Sequence, residues 1–183
     1  MNDFKRDDKW QREKRDSILV PEFYERYTTN GKYIFFDKGE LSMRLQKEWS
    51  IDTLAVNLNG EAALIEEKIV RWPKYDRPHT AYCLETESCT KPGHESPGWM
   101  YYGKATHLLY CFEQKCGGLI CHLIKFRELK KKFWDNHESF KTFGPLDTLN
   151  ATFGRKVPIA WVEAEVGVKK YFCPKPSSDN LKH

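Results

Sequence analysis

Residues 50–72 read SIDTLAVNLNGEAALIEEKIVRW. Two apolar segments rich in Val, Ile, Leu and Ala flank Asn59-Gly60, and Asn-Gly between such segments is the strongest short-range signal for a β-hairpin. Arg71-Trp72-Pro73 ends the second strand. Side chains alternate across a strand, so Glu66 and Lys68 share one face while Glu67 points to the other. A carboxylate and an ammonium together on a buried strand are costly unless they are paired, hydrated or bound to metal. Asp52 opens the preceding strand, so the hairpin can gather two carboxylates and a lysine at one point. Hard oxygen ligands of this kind suit Mg²⁺ or Mn²⁺, together with phosphate and water.

The loop decides whether that gathering happens. A strict two-residue turn at Asn59-Gly60 would place Asp52 opposite Glu67, and Asp52 and Glu66 would then lie on opposite faces. A three-residue loop, Leu58-Asn59-Gly60, with Gly60 left-handed in a G1 bulge, places Asp52 opposite Glu66. The second arrangement, or a bulge elsewhere in the hairpin, is the one predicted. Each acid also has a plainer reading. Glu66 and Lys68 can form a salt bridge on a solvated face, and Asp52 can cap a turn or pair with Arg44.

Outward from the hairpin, the chain alternates helical and strand patterns. Residues 3–15 are charged and helix-forming, with Phe4 and Trp10 as the large apolar anchors, and residues 1–20 read as a charged helical arm. Pro21 suits a first helical position and predicts a short helix through Tyr27, ended by a turn at 28–31. Tyr33–Phe36 reads as a strand, Asp37-Lys38-Gly39 as a turn, and Leu41, Leu45 and Trp49 recur at helical spacing. Further strands are predicted at 80–87, 107–112, 119–125 and 157–166, with an apolar helical stripe from Phe126 to His137. The tail from Pro174 is expected to be disordered. The mixture predicts one domain over residues 1–173, of α/β (α+β) class, with a central sheet flanked by helices.

Composition narrows the function classes only slightly. The formal charge is +4, mildly basic, and a solvated surface explains it as well as a polyanionic partner does. No apolar run is long enough to span a bilayer, and the charged N-terminus has no signal-peptide core, so no membrane partner and a cytoplasmic location are expected. The six cysteines are then expected as free thiols. They lack paired metal-site spacing, and Cys111 and Cys121 sit within apolar strands.

At Ile51-Asp52 and Ile65-Glu66-Glu67-Lys68 the chain resembles the PD-(D/E)XK, or restriction-endonuclease-like, nuclease superfamily, with Ile51 standing where the proline of the family name would be. In that family the acid sits on the second core strand and the (D/E)xK pair on the third. By strand order the resemblance spans roughly residues 20 to 137. It implies a restriction-endonuclease-like core and a metal-dependent deoxyribonuclease, with DNA as partner and a possible homodimer. Asp52, Glu66 and Lys68 would be its catalytic core. Asp52, Glu66 and the Glu67 carbonyl would hold Mg²⁺ or Mn²⁺. An acid from the first helix, Glu25 or Glu22, would complete the metal site, and Gln46 would touch the nucleophilic water or the backbone. The segment after Glu85-Thr86-Glu87-Ser88 also resembles family members. Its Lys91, His94, Trp99, Tyr101, Tyr102 and Lys104 mix cations with aromatics, as a nucleic-acid groove does. Lys125, Arg127 and Lys130-Lys131-Lys132 make one face of the Phe126 helix basic. The alternative expectation is a catalytically inactive module on the same fold that binds nucleic acid or protein.

Overall fold

A computed structural model describes residues 4–36, 40–57, 59–73, 76–89, 95–144 and 152–175. The turn expected at 37–39 and the tail from 176 onward fall outside the described residues, as do Leu58, Lys91 and His94.

The chain begins with α1 (Phe4–Lys14), which runs on through a widened π-helical stretch, Arg15–Tyr24, into α2 (Glu25–Tyr27). The helix expected to open at Pro21 is therefore already under way there, and Pro21 lies inside the widened stretch. A proline lacks the N–H and crowds the carbonyl four residues back, and a looser helical turn accommodates both. Strand β1 (Thr28–Phe35) starts where a turn was expected, and its pairing slips between Thr28 and Tyr33. Helix α3 (Glu40–Trp49) leads into β2 (Thr53–Asn57) and β3 (Ala62–Val70). Next come β4 (Ala81–Cys89), β5 (Ser96–Pro97), the short α4 (Trp99–Tyr102), β6 (His107–Glu113), β7 (Leu119–Lys125) and α5 (Phe126–Asn136). The chain closes with β8 (Lys141–Phe143), β9 (Phe153–Pro158), α6 (Ile159–Glu165) and β10 (Lys169–Cys173).

The expected strand at 157–166 is corrected: β9 stops at Pro158 and the rest is helix. A short apolar run such as Ile159-Ala160-Trp161-Val162 fits a strand or a buried helix equally well by periodicity. Pro158, still paired with Ala81, is the last strand residue and caps the helix, and Val166 then bonds back to the Val162 carbonyl as a helix requires. Strand β10, which sequence reasoning missed, turns Tyr171 and Cys173 inward by alternation.

Two sheets result, one of six strands ordered β1-β2-β3-β6-β7-β10 and one of four ordered β5-β4-β9-β8. In the large sheet β3 and β6 run parallel and the other pairs antiparallel. On one face Ala55, Ala63, Ile65, Ile69, Leu109 and Cys111 pack under Ile18, Leu19, Phe23 and Tyr24 of the π-helical stretch. On the other, Leu108, Tyr110, Phe112 and Ile124 pack against Tyr82, Leu84 and Val157 of the small sheet and against α4 and α5. The Phe126 helix buries Phe126, Leu129 and Phe133 as its stripe predicts. All six cysteines are free, with Cys111, Cys121 and Cys173 buried. Among the described residues no helix is long and apolar enough to cross a membrane.

Candidate active site at the β2–β3 hairpin

Pairing of Thr53 with Ile65, Leu54 with Leu64, Ala55 with Ala63 and Val56 with Ala62 sets the register. One step beyond Thr53 and Ile65, it puts Asp52 opposite Glu66, and Gly60 has a φ of 81°, the left-handed value the G1 bulge demands. The hairpin thus has the predicted parity. Even-numbered residues of β3 face α4 and the small sheet, and odd-numbered ones face the N-terminal helix.

Glu66 is only 2% exposed, and both of its oxygens are engaged. Lys68 Nζ lies 2.6 Å from Oε1, and the Ser50 hydroxyl donates to Oε2 at 2.7 Å. The Lys68 ammonium also sits 5.3 Å above the Trp99 ring, while its side chain stays 37% exposed. Asp52 is held by the backbone: the Glu67 N–H donates to its Oδ2 at 2.8 Å, and its own main chain bonds Phe36 and Ile65. Burial, and then the neighbouring Glu66, push the Asp52 carboxyl well above the usual carboxylate range, with Lys68 pulling the other way. For Lys68, burial alone would lower the ammonium, but Glu66 and then Asp52 outweigh it and hold it above its ordinary value. It is therefore protonated at neutral pH.

The Glu67 side chain points to the opposite face, where Tyr24 and Thr53 hydroxyls donate to it. Its expected part in holding metal is thus left to its main-chain carbonyl. Glu25 is exposed on α2, which packs on the π-helical stretch and β1, on the side of the sheet away from Glu66. The structure does not bring it to Asp52, because the helix that carries it covers the other core. Gln46 is half-buried on α3, where its main-chain carbonyl accepts from the Ser50 N–H at the end of the helix.

Ser50 was missed by sequence reasoning. It follows α3 with a φ of 52° in the left-handed region, where glycine is the usual choice at a helix end. A serine there is strained by about 1 kcal/mol, and its hydroxyl reaches Glu66. No local signal marks it, because glycine and not serine is the residue expected in that conformation. Tyr102 is raised by burial, Glu66 and Glu85, and Ser50 bonds its side chain, so the site includes the end of α4.

Of the expected nucleic-acid residues, Trp99 is 3% exposed and forms the roof over Lys68, packed on Phe126. It cannot stack on a base from solvent. Tyr102 is half-buried beside Ser50, whereas Tyr101 and Lys104 are exposed. Gly98, just before α4, passes so close to β4 that a Cβ there would lie 2.4 Å from the Glu85 carbonyl oxygen. Gly98→Ala is therefore expected to destabilise the protein by about 2–3 kcal/mol, measured as a lowered urea midpoint at unchanged slope.

On this face Asp52 and Glu66 face one cation, Lys68, with Glu85 near enough to be felt there. A surplus of negative charge on oxygen donors is the setting that Mg²⁺ or Mn²⁺ fits. Among the described residues no three His, Cys, Asp or Glu side chains form a metal-holding group. No family model, curated protein or solved structure matches this chain.

Proposed function

We propose that the chain is a divalent-metal-dependent deoxyribonuclease of the PD-(D/E)XK type, hydrolysing phosphodiester bonds at Asp52, Glu66 and Lys68. The observation that carries this reading is the register that sets Asp52 opposite Glu66 with Lys68 2.6 Å from Glu66. The acid directly precedes the second strand and the Glu-x-Lys lies in the third, which supports the resemblance, and β3 lies next to a parallel β6.

Asp52, Glu66 and the Glu67 carbonyl would hold Mg²⁺ or Mn²⁺, which when bound lowers the pKa of a water and neutralises charge on the phosphate. The Glu67 N–H fixes the Asp52 carboxylate, and Ser50 fixes that of Glu66, so both are oriented before substrate arrives. Lys68 is held in its charged form and cannot take a proton from water. Its role is to donate to the attacking water and to stabilise the negative charge that develops on phosphorus oxygens. Trp99 covers it and keeps it from bulk solvent on one side.

A second reading has its own observation. Both Glu66 oxygens are already satisfied within the protein, so the cluster is closed without metal and serves equally in an inactive binding module. Incubation with plasmid and linear DNA, with Mg²⁺, with Mn²⁺ and with chelator, separates the two. The nuclease reading expects nicking or degradation that needs metal and is lost in Lys68→Ala. Intact DNA with both proteins and both metals would leave the binding module.

A further inference from the structure

We propose that an exposed ridge formed by Trp49, Lys104 and Tyr101 binds a single strand of DNA beside the acidic site; this rests on the nuclease reading and names the form of its substrate.

Large apolar side chains exposed among the described residues are Ile34, Leu41, Trp49, Tyr101 and Phe172. Leu41, Trp49 and Tyr101 belong to α3 and α4, two short helices that pack on each other. The same helices deliver Ser50 to Glu66 and Trp99 to Lys68. Scattered exposed aromatics need no explanation, but a cluster at the lip of a charged site does. On the apolar stripe of α3, Leu41 is 69% and Trp49 41% exposed, while Leu45 is half-buried.

The ridge is tied to its neighbours by hydrogen bonds and ring contacts and carries cations. The Lys104 N–H donates to the Trp49 carbonyl at 2.6 Å, and its ammonium lies 5.1 Å from the centre of the Trp49 ring. The Tyr101 ring rests on Trp134 at 4.3 Å, and Lys130 holds the Tyr101 carbonyl at 2.8 Å. Aromatic faces fixed in this way stack on any base without sequence preference, while a lysine beside them meets the phosphate. A duplex hides its base faces inside its own stack and offers Lys104 only phosphates. Exposed rings next to a phosphate-cutting site therefore favour unpaired bases. An apolar protein partner fits less well, because Lys47, Lys104 and the Arg44–Glu48 pair are interspersed with the rings.

The test uses the full chain with metal chelated, so that nothing is cut. Binding of a fluorescein-labelled oligothymidylate of about ten nucleotides is compared with that of a duplex of equal length. The single strand is expected to bind about tenfold tighter. Trp49→Ala and Tyr101→Ala should each weaken it about tenfold, Trp49→Phe should keep most of the affinity, and Lys104→Ala should reduce the salt slope by about one. Equal or tighter duplex binding would overturn the proposal. So would a Trp49→Ala/Tyr101→Ala variant that melts like the parent and binds the strand as well. Cleavage is scored separately. DNA left intact in Mg²⁺ and Mn²⁺ while Trp49→Ala still loses binding removes the nuclease reading and keeps the ridge. Cleavage together with unaltered binding by the ridge variants does the reverse.

Discussion

On the nuclease reading, Asp52→Asn is expected to abolish cleavage while raising the melting temperature of the metal-free protein at neutral pH. Burial and the nearby Glu66 hold the Asp52 carboxyl well above its unfolded value. A carboxyl raised in this way keeps a proton in the folded state that the unfolded chain has already lost. Its contribution to stability is present below the unfolded value, near 3.8, and is lost as pH rises through the folded one. At neutral pH the carboxyl therefore costs stability, and asparagine removes that cost. The amide oxygen of the introduced asparagine still accepts the Glu67 N–H, so the geometry survives. The benefit should fade as pH falls toward 4, where the native carboxyl is protonated. Activity moves the other way. Loss of one metal-holding carboxylate removes several kcal/mol of charge stabilisation, a drop of about a thousandfold or more in rate. The native protein should melt higher as Mg²⁺ or Mn²⁺ is added at pH 7, and the variant should not. Melting curves across pH, with and without metal, check both halves. A variant less stable than the parent at pH 7.5 without metal would sink the argument that Asp52 stores unfavourable charge for a cation.

The hairpin was legible because its determinants are local. Asn59-Gly60 names the turn, alternation names the faces, and the need to unite Asp52 with Glu66 selects the parity that the register and the left-handed Gly60 carry. Strands β6 and β7 are legible as nearly continuous apolar runs, buried on both faces. The edges of the fold were harder because nothing local decides them. Pro21 is a helix-start signal in isolation, yet the preceding turns continue into it because Ile18, Leu19, Phe23 and Tyr24 all bury on one core. Ile159 to Val162 is apolar enough for either structure, and only Pro158 and the packing of Val162 choose helix. At the site, Trp99 and Tyr101 look alike in sequence, two aromatics in one short segment. Their fates are set by where α4 meets β3: one roofs Lys68 and the other faces water. Glu25 fails for a similar reason, since the face its helix covers is a tertiary fact. Ser50 was invisible because a left-handed serine violates local preference, and such violations gather where function outweighs stability.

Lys68→Met is expected to be the most damaging single substitution in the site, for stability as well as for cleavage. It leaves Glu66, 2% exposed, with only the Ser50 hydroxyl for company, and Asp52 beside it with no cation. Removing one partner of a buried ion pair costs about 3–5 kcal/mol, and the 37% exposure of Lys68 places this case at the low end, about 3 kcal/mol. The sign of its pH dependence follows from Lys68 being raised in the fold. Its contribution is fully present below the unfolded lysine value of 10.5, hence throughout neutral pH, and is lost only as pH rises through the folded value. On the acid side the penalty of the variant should shrink, because protonating Asp52 removes part of the charge that Lys68 answers. A second substitution separates structure from chemistry. In Glu66→Gln/Lys68→Met the charge is gone from both partners, the glutamine oxygen still takes the Ser50 hydrogen bond, and most of the lost stability should return. Cleavage should stay absent, since neither a metal ligand nor a charged donor has been restored. Denaturant unfolding of the parent, both single variants and the pair gives the coupling energy, and the plasmid assay gives the activity of each. If the double variant regained both stability and cleavage, the pair would be a buried strut and the chemistry would have to lie elsewhere. If it regained neither, the cost of Lys68→Met would be lost packing under Trp99 and not unpaired charge.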